Sequence, residues 1–227
     1  MNVGVLFSGG KDSCCAHYKV MENHTISCLI SIISKNKESY MFHTPNIALT
    51  EMQAEAMNIP LIIQETEGEK EEELKDLEEA IKAAKEKYSI DGVVSGAIQS
   101  EYQRSRIERV CKEVSIQSIN PLWQMDQVLL LNELISTGFK TLITGVFAYP
   151  FDESWLGREI DRDTVCDLTK LQKKYKINPS GEGGEIETFV YDGPTFKKRI
   201  KIIKASKTYS RYAGVYEIEK ARIIKKN

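Results

Sequence analysis

The chain has 227 residues, a formal net charge of −2, an apolar share of 41% and a charged share of 28%. These values are ordinary for a soluble globular protein with one large domain or two small ones. The balance of 31 basic and 33 acidic residues argues against a surface that is basic overall. Composition therefore predicts no membrane partner and no required nucleic acid, although it is compatible with a local basic patch.

Segments that could carry the chain into or across a membrane are short. The apolar run at 3–7 is too brief for the core of a signal peptide, and the apolar-rich stretch at 26–33 is far shorter than a membrane span. Five cysteines, an odd number without paired spacing, indicate a reducing compartment. We therefore expect a cytoplasmic protein in which all five cysteines are small buried hydrophobic residues.

In the first half of the chain, short β-rich runs alternate with helical patterns. The predicted strands lie at 3–7, 27–33, 60–63 and 92–94, and the predicted helices between them lie at 12–22, 47–57 and 70–88. A fourth helix is predicted to begin at Ser100, where Ser-Glu-Tyr-Gln fits a capping box. This alternation is typical of an α/β fold with a parallel sheet flanked by helices.

The pattern breaks around residues 120 and 121, where we place a domain boundary. We predict one domain over 1–120 and a second, smaller α/β domain over 121–227. The second domain is predicted to contain helices at 124–136 and 163–175 and strands at 141–146, 186–191, 199–203 and 212–218. Gly138 is expected to end the first of these helices.

The strongest functional signal follows the first strand directly. It is the run Ser8-Gly9-Gly10-Lys11-Asp12-Ser13, which leads into a helical pattern. The two glycines let the backbone turn tightly and approach an anion without a Cβ clash. The helix then offers unpaired N–H groups to that anion, and the serines and the lysine add hydroxyl donors and a positive charge. The run predicts a phosphate site; the alternative is a tight turn whose glycines serve geometry alone.

Two common nucleotide motifs do not fit this loop. A Walker A loop would have a glycine where Val5 stands and Ser or Thr where Asp12 stands. A dinucleotide fingerprint would require a third glycine. The run instead resembles the pyrophosphate loop of the N-type ATP pyrophosphatases, which implies a Rossmann-like parallel sheet of the HUP or PP-loop type. That resemblance implies that the loop binds the pyrophosphate of ATP, and that Asp12 helps to bind Mg2+.

Further blocks narrow the resemblance. They are SYMFHTPN at 39–46, SGAI at 95–98, YQRSRIERVC at 102–111, PLW at 121–123, DESWLGR at 152–158 and GEGGEIET at 181–188. In this order they resemble the diphthine–ammonia ligases of archaea and eukaryotes. The resemblance implies that ATP and ammonia amidate diphthine on translation elongation factor two to give diphthamide. It also implies an acyl-adenylate, with release of AMP and pyrophosphate.

Other site candidates lie outside the loop. Arg104 and Arg106 follow the fourth strand and are predicted to act on the reacting groups, the alternative being surface ion pairs with nearby glutamates. Gly96 and Ala97 are predicted to contact adenine or ribose, the alternative being a simple turn. His43 either touches the nucleotide or caps a helix start.

Three glutamates in the last block, Glu182, Glu185 and Glu187, are predicted to capture ammonium and to help deprotonate it. In an extended chain Glu185 and Glu187 point the same way. The alternative is a solvated acidic turn.

Two other functions remain open at this point: an AMP-forming ligase or thiolase acting on tRNA or a nucleotide, and a regulatory module that binds ATP without turnover. A homodimer is expected only because dimers are the commonest oligomers of soluble proteins.

Overall fold

The computed structural model describes residues 1–35, 45–69 and 72–226. Its first sheet has five strands, all parallel: β1 Asn2–Leu6, β2 Thr25–Ser34, β3 Leu61–Thr66, β4 Gly92–Val94 and β5 Gln117–Ile119. Their order is β3-β2-β1-β4-β5, so β1 lies at the centre and delivers the phosphate loop to the middle of one sheet edge. The four predicted strands are confirmed. The sequence missed β5 because Gln117–Ile119 contains one apolar residue and shows no alternation.

Four helices accompany this sheet: α1 Lys11–Val20, α2 Thr50–Met57, α3 Glu72–Tyr88 and α4 Glu101–Glu113. The predicted helix at 47–57 begins as a short 3-10 turn, Ile47–Leu49, and becomes α-helical only at Thr50. Ser100 caps α4 as expected, because its hydroxyl accepts a hydrogen bond from the N–H of Gln103 at 3.3 Å. None of the helices in the described ranges is long and apolar enough to cross a bilayer.

The second half contains two helices and an antiparallel sheet. The helices are α5 Gln127–Ser136 and α6 Arg162–Tyr175; the strands are β6 Lys140–Val146, β7 Ile186–Asp192, β8 Lys198–Ser210 and β9 Ala213–Lys225, in the order β7-β6-β9-β8. The predicted α/β fold with a parallel sheet and a smaller second region is confirmed. The predicted strands at 199–203 and 212–218 are too short, because β8 and β9 form a hairpin of 13 residues on each side.

Two apolar cores hold the sheets. One lies between the first sheet and α3 and α4, and includes Leu77, Ile81 and Val110. The other begins at Val5 of β1 and continues without a break to Phe189 of β7. Because this second core joins the two sheets, the phosphate loop and β7 pack directly against one another. The division at residues 120 and 121 stays a prediction.

Four of the five cysteines are buried, as predicted, but Cys166 is exposed. The expectation of five buried thiols was wrong at this position. Helix α6 buries Val165 and Leu168, and Cys166 projects from another side of the helix.

Candidate active site

The turn between β1 and α1 requires glycine at position 9. Gly9 has a φ of +75°, and a Cβ atom there would lie 2.0 Å from Oε1 of Gln53. The buried amide of Gln53 donates hydrogen bonds to the carbonyl oxygens of Gly9 at 2.9 Å and Val190 at 2.7 Å. The loop is therefore fixed from α2 on one side and from β7 on the other.

Strand β7 also makes direct contact with the loop. The N–H of Lys11 donates to the hydroxyl of Thr188 at 3.0 Å, and the N–H of Val190 donates to the carbonyl oxygen of Gly9 at 3.0 Å. Residues of the antiparallel sheet thus position a loop that belongs to the parallel sheet. Neither Gln53 nor Thr188 was among the predicted site residues. Thr188 belongs to the block at 181–188, whereas no sequence signal marked Gln53.

The first turn of α1 keeps hydrogen-bond donors available. Within the described ranges, the N–H groups of Asp12 and Ser13 have no acceptor, and no side chain caps the helix at Gly10. The hydroxyls of Ser8 and Ser13 lie 3.4 Å apart beside this turn. Unpaired N–H groups at the positive end of a helix bind anions. The geometry therefore fits a phosphate group.

Lys11 and Asp12 place a partly buried ion pair at the same turn. The side chain of Lys11 is 3% exposed, and its Nζ lies 2.8 Å from Oδ2 of Asp12. The other oxygen, Oδ1 of Asp12, is buried and has no hydrogen-bond partner among the described residues. An unpaired buried carboxylate oxygen suits a hard cation such as Mg2+. Since the described part of the chain holds no cluster of three or more metal-binding side chains, such an ion would also need ligands from the nucleotide.

Gly96 brings the turn after β4 against the same end of α1. A Cβ atom on Gly96 would lie 2.9 Å from the carbonyl carbon of Asp12 and 3.0 Å from the nitrogen of Ser13. Glycine at position 96 therefore allows this turn to pack closely against the backbone of α1. The neighbouring Ala97 is buried. The predicted contact of Gly96 and Ala97 with adenine or ribose stays a prediction.

Glu182 links the acidic loop to α4. Its Oε1 accepts hydrogen bonds from the N–H groups of Gln99 at 2.7 Å and Ser100 at 2.8 Å. In the predicted capping box, the side chain of Gln103 would accept a hydrogen bond from the backbone N–H of Ser100. In the structure, the acceptor for this N–H is the carboxylate of Glu182, from a distant part of the chain. Burial raises the pKa of Glu182, and Asp12 raises it further, while the N–H groups of Gln99 and Ser100 and the charge of Lys11 lower it.

Glu185 is held within its own loop. Its Oε1 accepts from the backbone N–H of Asn178 at 2.9 Å and from the side-chain amide of Asn178 at 2.8 Å, and its Oε2 accepts from the N–H of Gly183 at 2.9 Å. Both oxygens are therefore engaged in fixing the loop. A part for Glu185 in ammonium capture stays a prediction.

Glu187 lies on β7 beside the ion pair of the phosphate loop. Although the residue is only partly buried as a whole, loss of hydration raises the pKa of its carboxyl to about 7. The charge of Lys11 opposes this rise and that of Asp12 adds to it. Glu182 and Glu187 thus both feel the charges of Lys11 and Asp12, which places two carboxyl groups near the predicted phosphate site.

Gln127 joins the acidic loop to the rest of the site. Its side chain is largely buried; Oε1 accepts from the N–H and the hydroxyl of Ser180, and Nε2 donates to the side-chain oxygens of Gln99 and Asn178, all at 2.8–3.1 Å. This residue was missed by the sequence analysis. Its side-chain amide makes all four of these hydrogen bonds, so Gln127 fixes the position of the acidic loop relative to Gln99.

The two predicted arginines are engaged locally. Arg104 forms ion pairs with Glu101 at 2.9 Å and Glu108 at 2.7 Å, as the surface alternative expected, and its guanidinium lies 4.5 Å from the ring centre of Trp123. The guanidinium of Arg106 lies 3.5 Å from the ring centre of Tyr102. A role for either in the reaction stays a prediction. His43 lies outside the described residues.

Two family models match the chain. The model described as the diphthamide synthase N-terminal domain matches residues 1–118, and that of the diphthamide synthase C-terminal domain matches residues 126–224. The first model contains the phosphate loop and the turn after β4. The second contains the acidic loop and β7.

Relatives named diphthine–ammonia ligase are similar over most of their length. The protein from Bos taurus is 36% identical, with 95% of this chain and 88% of the relative covered; that from Mus musculus is 39% identical, with 89% and 83% covered. A solved structure described as a predicted subunit of tRNA methyltransferase from Methanocaldococcus jannaschii is similar at a TM-score of 0.44 and 19% identity, covering 86% of this chain and 98% of that one. A similarity of this size carries no argument about function. The sequence matches, over both halves of the chain, show that it belongs to the diphthamide synthase family, the family of the diphthine–ammonia ligases, and is an enzyme of the ligase class.

Proposed function

We propose that this enzyme amidates diphthine on translation elongation factor two to diphthamide, using ATP and ammonia through an acyl-adenylate, with release of AMP and pyrophosphate. Family membership supports the class of reaction. The observation that carries the ATP chemistry is the first turn of α1, where free N–H groups, two hydroxyls and the buried Lys11 converge.

This turn would stabilise the departing pyrophosphate. Its donors are fixed by Gln53 and Thr188 before any ligand arrives, so little reorganisation is needed when negative charge leaves the α-phosphate. Lys11 adds a positive charge that burial strengthens. It would also reduce the repulsion between the incoming carboxylate and the triphosphate.

Mg2+ would be held by the unpaired Oδ1 of Asp12 together with nucleotide phosphates. When bound, the ion would neutralise phosphate charge as the bond between the α- and β-phosphates breaks.

Adenylation solves a problem of the acceptor. A carboxylate is a poor electrophile because its leaving group would be oxide, and the acyl-adenylate replaces that group with AMP. Ammonia can then attack the carbonyl carbon, provided that it arrives unprotonated.

We propose Glu187 as the group that attracts ammonium and accepts its proton. A carboxyl with a pKa of about 7 is a stronger base than an ordinary glutamate and is still substantially ionised at neutral pH. Glu182 would add negative charge from a fixed position at α4. Glu185 is the weaker candidate for the base because both of its oxygens already accept hydrogen bonds.

A cytoplasmic location is also proposed. All five cysteines are free and four of them are buried as thiols, which suits a reducing compartment.

The proposal is tested with the purified enzyme, labelled ATP, 15N-ammonium and diphthine-bearing elongation factor two. We expect AMP and pyrophosphate in equal amounts, together with one 15N atom in the modified side chain by mass spectrometry. Release of ADP and orthophosphate would contradict the adenylate mechanism. AMP formation that requires tRNA in place of the elongation factor would contradict the acceptor.

A further inference from the structure

The β8–β9 hairpin has a charge that the rest of the molecule does not share. Residues 197–226 contain eleven basic and two acidic residues, a net charge of +9, whereas the whole chain carries −2 and the remainder therefore −11. Four exposed members face one another on one side of the hairpin and are called here the basic ribbon; they are Lys201 and Lys204 of β8 and Lys220 and Arg222 of β9.

The members of the basic ribbon are paired with like charges. Lys201 lies opposite Arg222, and Lys204 opposite Lys220. A further pair of like charges, Lys198 and Lys225, lies on the other face of the hairpin. Like charges directly across an antiparallel pair destabilise it. Among the described residues, Lys204 is the ribbon member with an acidic ion-pair partner, Glu219.

Protection of a sheet edge does not account for this arrangement. Strand β8 is an edge strand, and lysines on an edge hinder pairing with another chain. Among the described residues, β9 pairs with β6 only through Gly214 and Val215, so its residues 220–225 also lie at an edge. Acidic residues on β9 would have protected both edges equally well while stabilising the hairpin. A partner with negative charge accounts for cations on both strands.

Exposed aromatic residues lie at one end of the same hairpin. Phe147, Tyr149 and Tyr212, called here the aromatic patch, are 40%, 56% and 48% exposed. The ring of Tyr149 meets that of Tyr212 edge to face at 5.1 Å and that of Tyr175 at 5.2 Å. Such large, pre-ordered rings are typical anchors of protein interfaces. Because the tyrosine rings pack against one another, fewer ring faces are accessible for stacking on nucleic-acid bases.

The sheet register places the turn end of the hairpin near the candidate active site. Glu187 of β7 lies opposite Gly145 of β6, Gly145 opposite Val215 of β9, and Val215 opposite Thr208 of β8. With neighbouring strands about 4.8 Å apart, β9 crosses this row about 10 Å from Glu187 and β8 about 14 Å from it. The basic ribbon begins at Lys204 and Lys220, beyond Thr208 and Val215, and extends away from the site along the hairpin. The N–H of Phe147 donates to the carbonyl oxygen of Glu185 at 2.9 Å, so the aromatic patch borders the acidic loop.

We propose that the basic ribbon and the aromatic patch form the docking surface for the protein substrate, which presents an acidic face next to an apolar spot. This inference rests on the proposed function, since it assigns a surface to the macromolecule whose carboxylate is amidated. The aromatic patch anchors the substrate beside Glu187. The ribbon attracts the acidic face and aligns it along the hairpin.

The test uses Lys201→Glu, which replaces a Lys–Arg pair by an opposite-charge pair across the hairpin. The thermal stability is therefore expected to stay unchanged or to rise. At low ionic strength the KM for the acceptor protein is expected to rise about fivefold, with kcat and the KM for ATP unchanged, and its dependence on salt is expected to weaken. Lys112→Glu, at an exposed lysine of α4, is the control for charge reversal and should change none of the kinetic values.

Tyr212→Asn tests the aromatic patch. Tyr212 has a φ of +67°, which asparagine tolerates well, so the turn should keep its conformation. We again expect a higher acceptor KM without a change in kcat.

Three outcomes would overturn the docking proposal. If the wild type amidates the acceptor but both variants keep its KM, the surface is wrong while the proposed function stands. If Lys201→Glu instead loses affinity for a single-stranded RNA oligonucleotide at an unchanged acceptor KM, the ribbon serves nucleic acid. If the wild type gives no amide with any acceptor, the proposed function fails, and the docking surface with it.

Discussion

The phosphate loop and the acidic loop lie on two sides of one site, and they are held in different ways. Gly9, Gly10 and the start of α1 create the anion side within a few residues of chain. The acidic side depends on contacts between distant segments: Glu182 to Ser100, 82 residues away, and Gln127 to Ser180, 53 residues away. The anion side is thus a local motif that other segments support, whereas the acidic side exists only in the assembled fold.

The difference also appears in the electrostatics. On the anion side, the positive charge of Lys11 is paired with Asp12, and helix α1 presents free donors. On the acidic side, burial keeps the carboxyl of Glu187 partly protonated at neutral pH. The first arrangement suits a charged ligand, and the second suits the proposed transfer of a proton.

The largest effect is expected from Lys11→Ala. Removal of the buried positive charge should lower the rate of pyrophosphate release roughly a thousandfold, because the leaving group loses its main compensating charge. Circular dichroism and the melting curve should show a folded protein. Lys112→Ala, at an exposed position, should behave as wild type, and a Lys11→Ala enzyme with near-normal turnover would remove the phosphate loop from the mechanism.

Glu187→Gln should separate the two sides. Loss of the proposed base is expected to lower kcat about a hundredfold at saturating ATP. The wild-type rate should rise with pH through about 7, as Glu187 ionises, and the variant should lose that limb of the profile. A variant that keeps the limb would show that another group titrates there.

The same substitution should make the protein more stable in alkaline solution. The pKa of Glu187 is higher in the folded than in the unfolded state, so the folded state binds more protons between the ordinary glutamate pKa and about 7. Its contribution to stability is complete at low pH and is lost as the pH rises through 7. Glu187→Gln should raise the free energy of unfolding by about 1–3 kcal/mol at pH 8 and leave it nearly unchanged at pH 4, as measured by urea denaturation.

Gly9→Ala tests how far the loop depends on its supports. The positive φ and the contact with Gln53 should together reduce stability by about 1–3 kcal/mol and weaken ATP binding about tenfold. Adding Gln53→Ala removes the contact but not the backbone strain, so the double variant should be less destabilised than the sum of the two single ones. Strict additivity in urea denaturation would show that Gln53 does not constrain the loop.

The smallest effect is expected from Glu185→Ala. It removes hydrogen bonds to Asn178 and Gly183, so the acidic loop should loosen, with a cost of about 1–2 kcal/mol and a rise of a few-fold in the KM for ammonium. A kcat loss larger than that of Glu187→Gln would move the proton acceptor to Glu185. Unchanged amination at low ammonium would remove Glu185 from ammonium capture.

Sequence reasoning predicted what is encoded locally. Four of the five strands of the parallel sheet and the cap at Ser100 depend on nearby residues, and they are confirmed. The phosphate loop follows its strand as predicted, and its geometry suits an anion. Strand β5 lacked a pattern because three residues with one apolar side chain give no periodicity.

The supports of the site could not be predicted because their partners are far away in the chain. Thr188 binds the N–H of Lys11 from 177 residues away, and the acceptor for the Ser100 N–H is Glu182 and not the nearby Gln103. The net charge of the whole chain likewise gave no sign of the basic hairpin, because its charge of +9 is offset by acidic residues elsewhere in the sequence.

We propose that the first turn of α1 holds the two phosphates that leave ATP together. A crystal structure with a non-hydrolysable α,β-methylene analogue of ATP tests it most directly. We predict that oxygens of the β- and γ-phosphates lie within hydrogen-bond distance of the N–H groups of Asp12 and Ser13, with Nζ of Lys11 beside them. A nucleotide whose β- and γ-phosphates lie away from this turn would show that the loop does not bind the pyrophosphate.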